Sequence, residues 1–366
     1  MIVKLQEAGK ARKTLLDYDA QLSGYRQPSA WRSVWQLSST LVLFVSGWIA
    51  MYLSLSVSYW LTLLISVPTA LFVVRLFIFQ HDCGHRSFFK SKRTNDILGA
   101  MLSVITFTPY HAWRREHAAH HATSGDLDRR GKSGEIWTLT IEEYYESSWL
   151  RRLGYRLYRN PVLLFGLGPF YHFVIHQRLV FIWPKARKLE RRSIFLTNLS
   201  LLAFAGVLSW IMGPLNFLAV QLPVISIAAV VGVWMFYVQH QFEEAFWESS
   251  ENWDYVQAAL DGSSHFRLPK LLRWCTGNIG LHHIHHLDGR IPNYYLQACH
   301  DSNPEFQEVV EFSIMESFAC MHVRLWNDEL QKMVSFSEAA SFIRQRAANL
   351  PSESIPTLPT SSSAVA

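Results

Sequence analysis

Residues 33–74 read SVWQLSSTLVLFVSGWIAMYLSLSVSYWLTLLISVPTALFVV, and no Asp, Glu, Lys or Arg stands between Arg32 and Arg75. One membrane-crossing helix needs only about 20 apolar residues, so this stretch holds two. Ser56 to Ser58 divide it, which predicts helices over Ser33–Leu55 and Tyr59–Phe79 joined by a very short turn. Arg75 then falls near the end of the second span, from which its long stem can snorkel to the interface. A second uncharged stretch runs from Ser193 to Phe242 and is cut by Gly213-Pro214. It predicts spans at Ile194–Met212 and Leu215–Val238. Pro223 is tolerable inside the last one where neighbouring helices satisfy the freed carbonyl. The competing reading, buried hairpins in a soluble core, conflicts with uncharged runs of this length.

The rest of the chain is not membrane-like. Across its 366 residues mean hydropathy is only +0.06, which excludes an all-membrane bundle. Charged residues are 17% of the chain, below the roughly 25% usual in soluble domains. A mixed protein reconciles the two values. The four cysteines (Cys83, Cys275, Cys299, Cys320) have no framework spacing, which excludes a disulfide-stapled secreted domain. The net charge of +5 comes without a basic and aromatic stripe, so nucleic acid is not an expected partner.

Lys and Arg fill the N-terminal arm and the segment between the hairpins, whereas the turns near Val57 and Pro214 have none. The positive-inside rule therefore puts all polar material in the cytoplasm. The expected fold is an all-α integral membrane protein, with four transmembrane helices as two hairpins and a helical cytoplasmic cap. In order these are an N-terminal arm (1–32), hairpin 1 (33–79), cap (80–192), hairpin 2 (193–239), cap again (240–350) and a disordered Ser/Pro/Thr-rich tail (351–366). Ile97–Pro109 and Val162–Phe181 are apolar but too short or too interrupted to span. Both are expected at the interface or within the cap.

Histidine is in excess, with 16 residues against 34 Lys plus Arg. The first cluster is His81-Asp82-Cys83-Gly84-His85, the second His117-Ala118-Ala119-His120-His121, the third His282-His283-Ile284-His285-His286. Residues at i, i+3 and i+4 share a helix face. His81 with His85, His117 with His120 and His121, and His282 with His285 and His286 therefore align. His240, two residues past the fourth span, is a ninth candidate. Neutral imidazole is the commonest metal ligand, and nine are too many for one ion. They suit two first-row metals. No H-E-x-x-H and no Cys pair points to zinc. His172 and His176 share the i, i+4 spacing but sit in an apolar segment and are read as structural. His111 is a candidate neighbour of the ligands. His283 competes with His282, and His265, His300 and His322 carry no functional reading. Asp82, Glu116, Asp126, Glu243 and Glu244 are candidates to orient ligand rings. Trp113 and Trp247 are candidate walls of a substrate tunnel.

The three boxes resemble those of the membrane fatty acid desaturase family. His81-Asp82-Cys83-Gly84-His85-Arg86-Ser87-Phe88-Phe89 is similar to the first box of acyl-lipid desaturases of the Δ12/ω6 type. Gly277-Asn278-Ile279-Gly280-Leu281-His282-His283-Ile284-His285-His286-Leu287, followed by Arg290-Ile291-Pro292-Asn293-Tyr294, is similar to their third. Tyr237-Val238-Gln239-His240 resembles an additional ligand position. The resemblance implies a non-haem di-iron centre held by His81, His85, His117, His120, His121, His240, His282, His285 and His286. It implies O2 as co-substrate and removal of two hydrogens from a fatty acyl chain of a membrane lipid. The three residues between the histidines of the first box match the acyl-lipid branch and weigh against a CoA thioester. The chain shows no cytochrome b5 module, Rossmann fingerprint or four-cysteine cluster motif. A ferredoxin-like or cytochrome b5-like electron donor is therefore expected, and Arg114, Arg115, Arg129, Arg130 and Lys132 suit either docking of an acidic donor or contact with anionic lipid. The expected location is a bacterial inner membrane. Hydroxylase, acetylenase or ketolase chemistry on the same centre is the alternative within this fold, and a membrane haem or metal-transport protein the alternative outside it.

Overall fold

The computed structural model describes residues 14–131, 135–182 and 185–349. A short helix, α1 (Leu15–Ser23), precedes the first hairpin, α2 (Ala30–Ser54) and α3 (Tyr59–His85). Two shorter helices follow, α4 (Lys92–Thr106) and α5 (Tyr110–Thr123). The second hairpin is α6 (Lys188–Met212) and α7 (Pro214–His240). Beyond it the chain is largely irregular, with short helices such as α8 (His282–Leu287), a few short strands and a final helix, α9 (Phe336–Asn349). Among the described residues α2, α3, α6 and α7 are long and apolar enough to cross a membrane. The expected tail at 351–366 lies outside the described residues.

Each hairpin turn follows from its residues. Ser58 is extended at φ −165° and starts α3, so the chain reverses within Leu55 to Ser58. In the second hairpin Gly213 has φ +86°, a conformation open to glycine, and Pro214 is the first residue of α7. Proline suits that position because the first helical N–H has no intrahelical acceptor.

All four long helices outrun the hydropathy pattern: α2 begins at Ala30 and α6 at Lys188, ahead of Ser33 and Ile194, and α3 and α7 are extended at their far ends. The apolar runs end at Phe79 and Val238, but α3 continues through His85 and α7 through His240. Nothing in Gln80-His-Asp-Cys-Gly-His85 breaks a helix, and α3 ends only where Arg86 turns left-handed at φ +60°. The first histidine box and His240 are thus carried on the rods that cross the bilayer. Arg75 also departs from expectation. Instead of reaching outward it is 3% exposed. Its guanidinium bonds the Trp274 carbonyl and Thr40 Oγ1 and lies 4.1 Å from the Trp274 ring centroid. An available carbonyl and ring face inside the protein replace the interface as its partners.

α3 is the central rod, packed on α2, α4 and α7. Gln80 joins it to α4. The Gln80 amide nitrogen lies 3.0 Å from the Gly99 and Thr108 carbonyls, and its oxygen accepts from Thr106 Oγ1 at 2.7 Å. Tyr110, fully buried at the start of α5, donates to the Cys83 carbonyl at 2.8 Å. Box one and box two are therefore fixed to each other before any metal is considered. Residues 163–182 form a broken helical ribbon of π, α and 3₁₀ turns, interrupted by Gly166, Gly168 and Pro169, which lies against α6 and α7. The remainder includes a small sheet in which Leu139–Thr140 runs parallel to Leu325–Asn327, itself antiparallel to Lys332–Val334.

The α4–α5 contact is tight at Gly99, where a Cβ would lie 2.3 Å from Tyr110. Gly206 on α6 has open space instead. Alanine is better than glycine in a helix by about 1 kcal/mol. Gly206→Ala is expected to hold or raise the melting temperature in detergent. Gly99→Ala is expected to lower stability by about 1–3 kcal/mol through overpacking.

Candidate metal centre

All nine aligned histidines converge, in two groups. His81, His85, His117, His121 and His285 form one, and His120, His240, His282 and His286 the other. Within each group every pair of ring nitrogens that could face an ion lies within 4.8 Å. Helix geometry produces this division. α5 turns His117 and His121 to one group and His120 to the other, and α8 divides His285 from His282 and His286 in the same way. The groups touch where His121 and His286 stack, with ring centroids 4.1 Å apart.

The donor atoms fit metal ions. Nε2 of His240 lies 2.9 Å from Nε2 of His282 and 3.1 Å from Nε2 of His120. Nε2 of His121 lies 2.9 Å from Nε2 of His285 and 3.1 Å from Nε2 of His117. Imidazoles about 2.1 Å from one ion at right angles would be spaced about 3 Å apart. Nε2 of His85 and of His286 are buried without any hydrogen-bond partner. A buried imidazole nitrogen with no partner is costly, and a cation removes that cost. Burial, followed by repulsion from neighbouring rings, pushes His117, His121, His282, His285 and His286 well below the ordinary imidazole range. His120 is pushed down to about 3. The rings are therefore neutral at pH 7, with lone pairs free to bind.

Each group has one buried carboxylate behind it. Asp82 Oδ1 is 3.4 Å from His81 Nδ1, while Asp82 Oδ2 accepts from the backbone and side-chain nitrogens of Asn293 at 2.9 and 2.8 Å. Box one is thereby tied to the segment just past box three. Glu135 Oε1 is 3.6 Å from His120 Nδ1. The Nδ1 of His240 donates to the Gly262 carbonyl at 3.2 Å, which turns its Nε2 lone pair toward its group. Two glycines allow the close packing. A Cβ at Gly289 would lie 2.5 Å from His85 Nδ1, and one at Gly84 would lie 2.8 Å from Trp113. Trp113 in turn stacks on His117 at 4.6 Å between centroids.

A cavity of about 200 Å³ opens from this centre into the membrane part. Its wall includes His81, His117, His120 and His282 at one end and Val73, Ile225, Ala228 and Gly232 deeper along α3 and α7. Trp113 lines it, as expected of a tunnel wall. Trp247 instead faces a small separate void with Glu135 and His240.

The remaining candidates from the sequence fall at several places in the fold. Of the five candidate orienting acids, Asp82 reaches a ligand ring. Glu116 lines the cavity and is pushed up to about 7 by burial. Asp126 caps a turn and pairs with Arg129, Glu243 pairs with Lys332, and Glu244 is exposed. Glu135 was not legible, since no motif surrounds it. His283 turns away, with Nε2 3.2 Å from His300 Nδ1, beyond which lies His265. His111 packs on Tyr110, and neither it nor His322 belongs to a group. His172 and His176 stack on each other at 5.4 Å, outside both groups. The proposed docking arginines are engaged internally: Arg114 with Asp96, Arg115 with Glu190, Arg129 with Asp126 and Arg130 with Glu143. Lys132 lies outside the described residues.

The comparisons with known proteins agree with this geometry. The family model described as fatty acid desaturase matches residues 58–314. A "Fatty acid desaturase" of Bacillus subtilis (strain 168) is 47% identical over 316 residues, 86% of this chain and 89% of that protein. An "sn-1 oleoyl-lipid 12-desaturase" of Anabaena variabilis is 27% identical over 277 residues, 69% of this chain and 72% of that protein. An "sn-1 acyl-lipid omega-3 desaturase (ferredoxin)" of Synechocystis sp. is 28% identical over 232 residues, 61% of each chain.

The two adjacent histidines of box three give a direct test. His282→Ala is expected to lower bound metal by about one ion per chain, and Asp82→Asn to weaken binding roughly 10- to 100-fold. His283→Ala is expected to retain the metal content of the unaltered protein, measured by elemental analysis of purified protein.

Proposed function

The chain belongs to the fatty acid desaturase family, and from that membership we propose that it introduces a double bond into lipid-linked acyl chains at two irons held by the nine histidines. That it is a membrane protein and a fatty acyl desaturase follows from the family match, the relatives and the four apolar helices. The observation that supports the finer reading is the pairing of two all-imidazole groups with an apolar cavity running along the membrane helices. Iron bound there would supply the O2 activation that breaking an unactivated methylene C–H bond requires.

The chain's own residues contribute confinement and orientation. Phe77, Ile78, Val233 and Phe236 offer an alkyl chain an apolar wall beside the histidines and exclude water from it. Asp82, Glu135 and the Gly262 carbonyl hold ligand rings from behind. Two hydrogens leave adjacent carbons, and O2 with two external electrons and two protons becomes two waters. A lipid-linked substrate and a ferredoxin-like donor are favoured by the names of the Anabaena and Synechocystis relatives. The termini and the metal centre are assigned to the cytoplasm of a bacterial cell because neither hairpin turn carries Lys or Arg.

Expression in a bacterium lacking this activity, followed by mass spectrometry of its lipids, tests the proposal. The expected product is an acyl chain lighter by two hydrogens, made with reduced ferredoxin and absent with His120→Ala. Gain of one oxygen would assign hydroxylation instead, and product formation by His120→Ala would overturn the ligand assignment.

A further inference from the structure

The cavity wall has a further polar feature that belongs to neither histidine group. Gln177 lines it and is 2% exposed, yet its Oε1 has no hydrogen-bond partner. Its other amide atom, Nε2, is 3.0 Å from Nε2 of His172, which lines the same cavity. Positions i and i+5 are about 140° apart on an α-helix and do not meet. They meet here because Tyr171–Ile175 is a π turn, whose underwinding brings i and i+5 onto one face, and His176–Arg178 then tightens to 3₁₀. π turns inside helices recur at functional positions.

Burial and the nearby His176 push His172 down to about 4, so its ring is neutral and carries one N–H. An amide oxygen and nitrogen are interchangeable by a half-turn of the side chain. With the imidazole N–H donating to the amide oxygen, the Gln177 nitrogen is left as a donor facing a mostly apolar space whose other polar wall groups include Thr106, Glu116, Gln239 and the histidines. An acyl ester or thioester carries carbonyl acceptors and no donor, so only the donor setting matches it.

We propose that His172 and Gln177 form the subsite that holds the carbonyl of the acyl group, fixing its distance from the metal centre. This rests on the reading of the cavity as the acyl site. Holding the carbonyl makes the carboxyl end the origin from which the reacting carbon is measured.

Binding tests it without turnover. The purified, metal-loaded protein in detergent is titrated with a diacyl ester phospholipid, its dialkyl ether counterpart and the acyl-CoA of the same chain length, read by tryptophan fluorescence. The ester or the thioester is expected to bind about five- to tenfold more tightly than the ether, the size of one hydrogen bond. Which of the two does so identifies the carrier. Gln177→Met, close in volume, is expected to lose that preference while keeping its metal content, melting temperature and affinity for the ether. Products of Gln177→Met are expected to spread over neighbouring bond positions, where the unaltered enzyme gives one position from the carboxyl end for two chain lengths. Equal ester and ether binding in the unaltered protein, or an undiminished preference in Gln177→Met, overturns the subsite. Failure of the desaturase reading itself would instead appear as no unsaturated product from any lipid.

Discussion

Nine imidazoles are packed side by side, six of them buried and three half-buried, and the fold is organised around that crowding. Burial, followed by repulsion from neighbouring rings, pushes His117 and His285 well below the ordinary imidazole range. The cost is a set of lone pairs with nothing to accept, most plainly at His85 and His286. Such a cluster persists only if the scaffold imposes it. Gln80, Tyr110, Asp82 and Asn293 bind α3 to α4, to α5 and to the segment after box three, and none of them is a ligand. Their placement assembles the donors before a metal arrives, so binding need not also order the protein.

The same scaffold explains why both groups are free of carboxylate among the described residues. Two divalent cations in a low-dielectric site call for negative charge nearby, and it is supplied one layer out by Asp82 and Glu135. An acid behind an imidazole tunes the ring's basicity and fixes its orientation, while the inner positions stay neutral. The cavity wall begins directly at His81, His117, His120 and His282, so the apolar chain and the donors share one boundary.

Much of this was legible in the sequence because it depends on local spacing. The uncharged runs at 33–74 and 193–242 mark the spans, and the i, i+3, i+4 pattern picks out histidines that the fold brings together and separates His282 from His283, although it does not foretell that each box divides between two groups. What was not legible depends on contacts between distant segments. Glu135 meets His120, and Gly289 approaches His85 so closely that a side chain would collide with the ring. Arg75 follows the same rule. Its position near a span end suggested the interface, but the Trp274 carbonyl, far along the chain, captured it. His172 and Gln177 escaped for a different reason. Their spacing means nothing on an α-helix and acquires meaning only on a π turn.

That α3 and α7 pass without a break from the bilayer into the histidine groups has a mechanical consequence. A helix accommodates a thinner or thicker bilayer by changing its tilt. Beyond Pro68 in α3 and Pro223 in α7 no further proline interrupts either rod, so tilting the segment after Pro68 swings His81 and His85, and tilting the segment after Pro223 swings His240. Membrane thickness thus becomes a coordinate of the histidine groups. Because double bonds loosen and thin a bilayer, the enzyme's product acts on the same rods that carry its histidines.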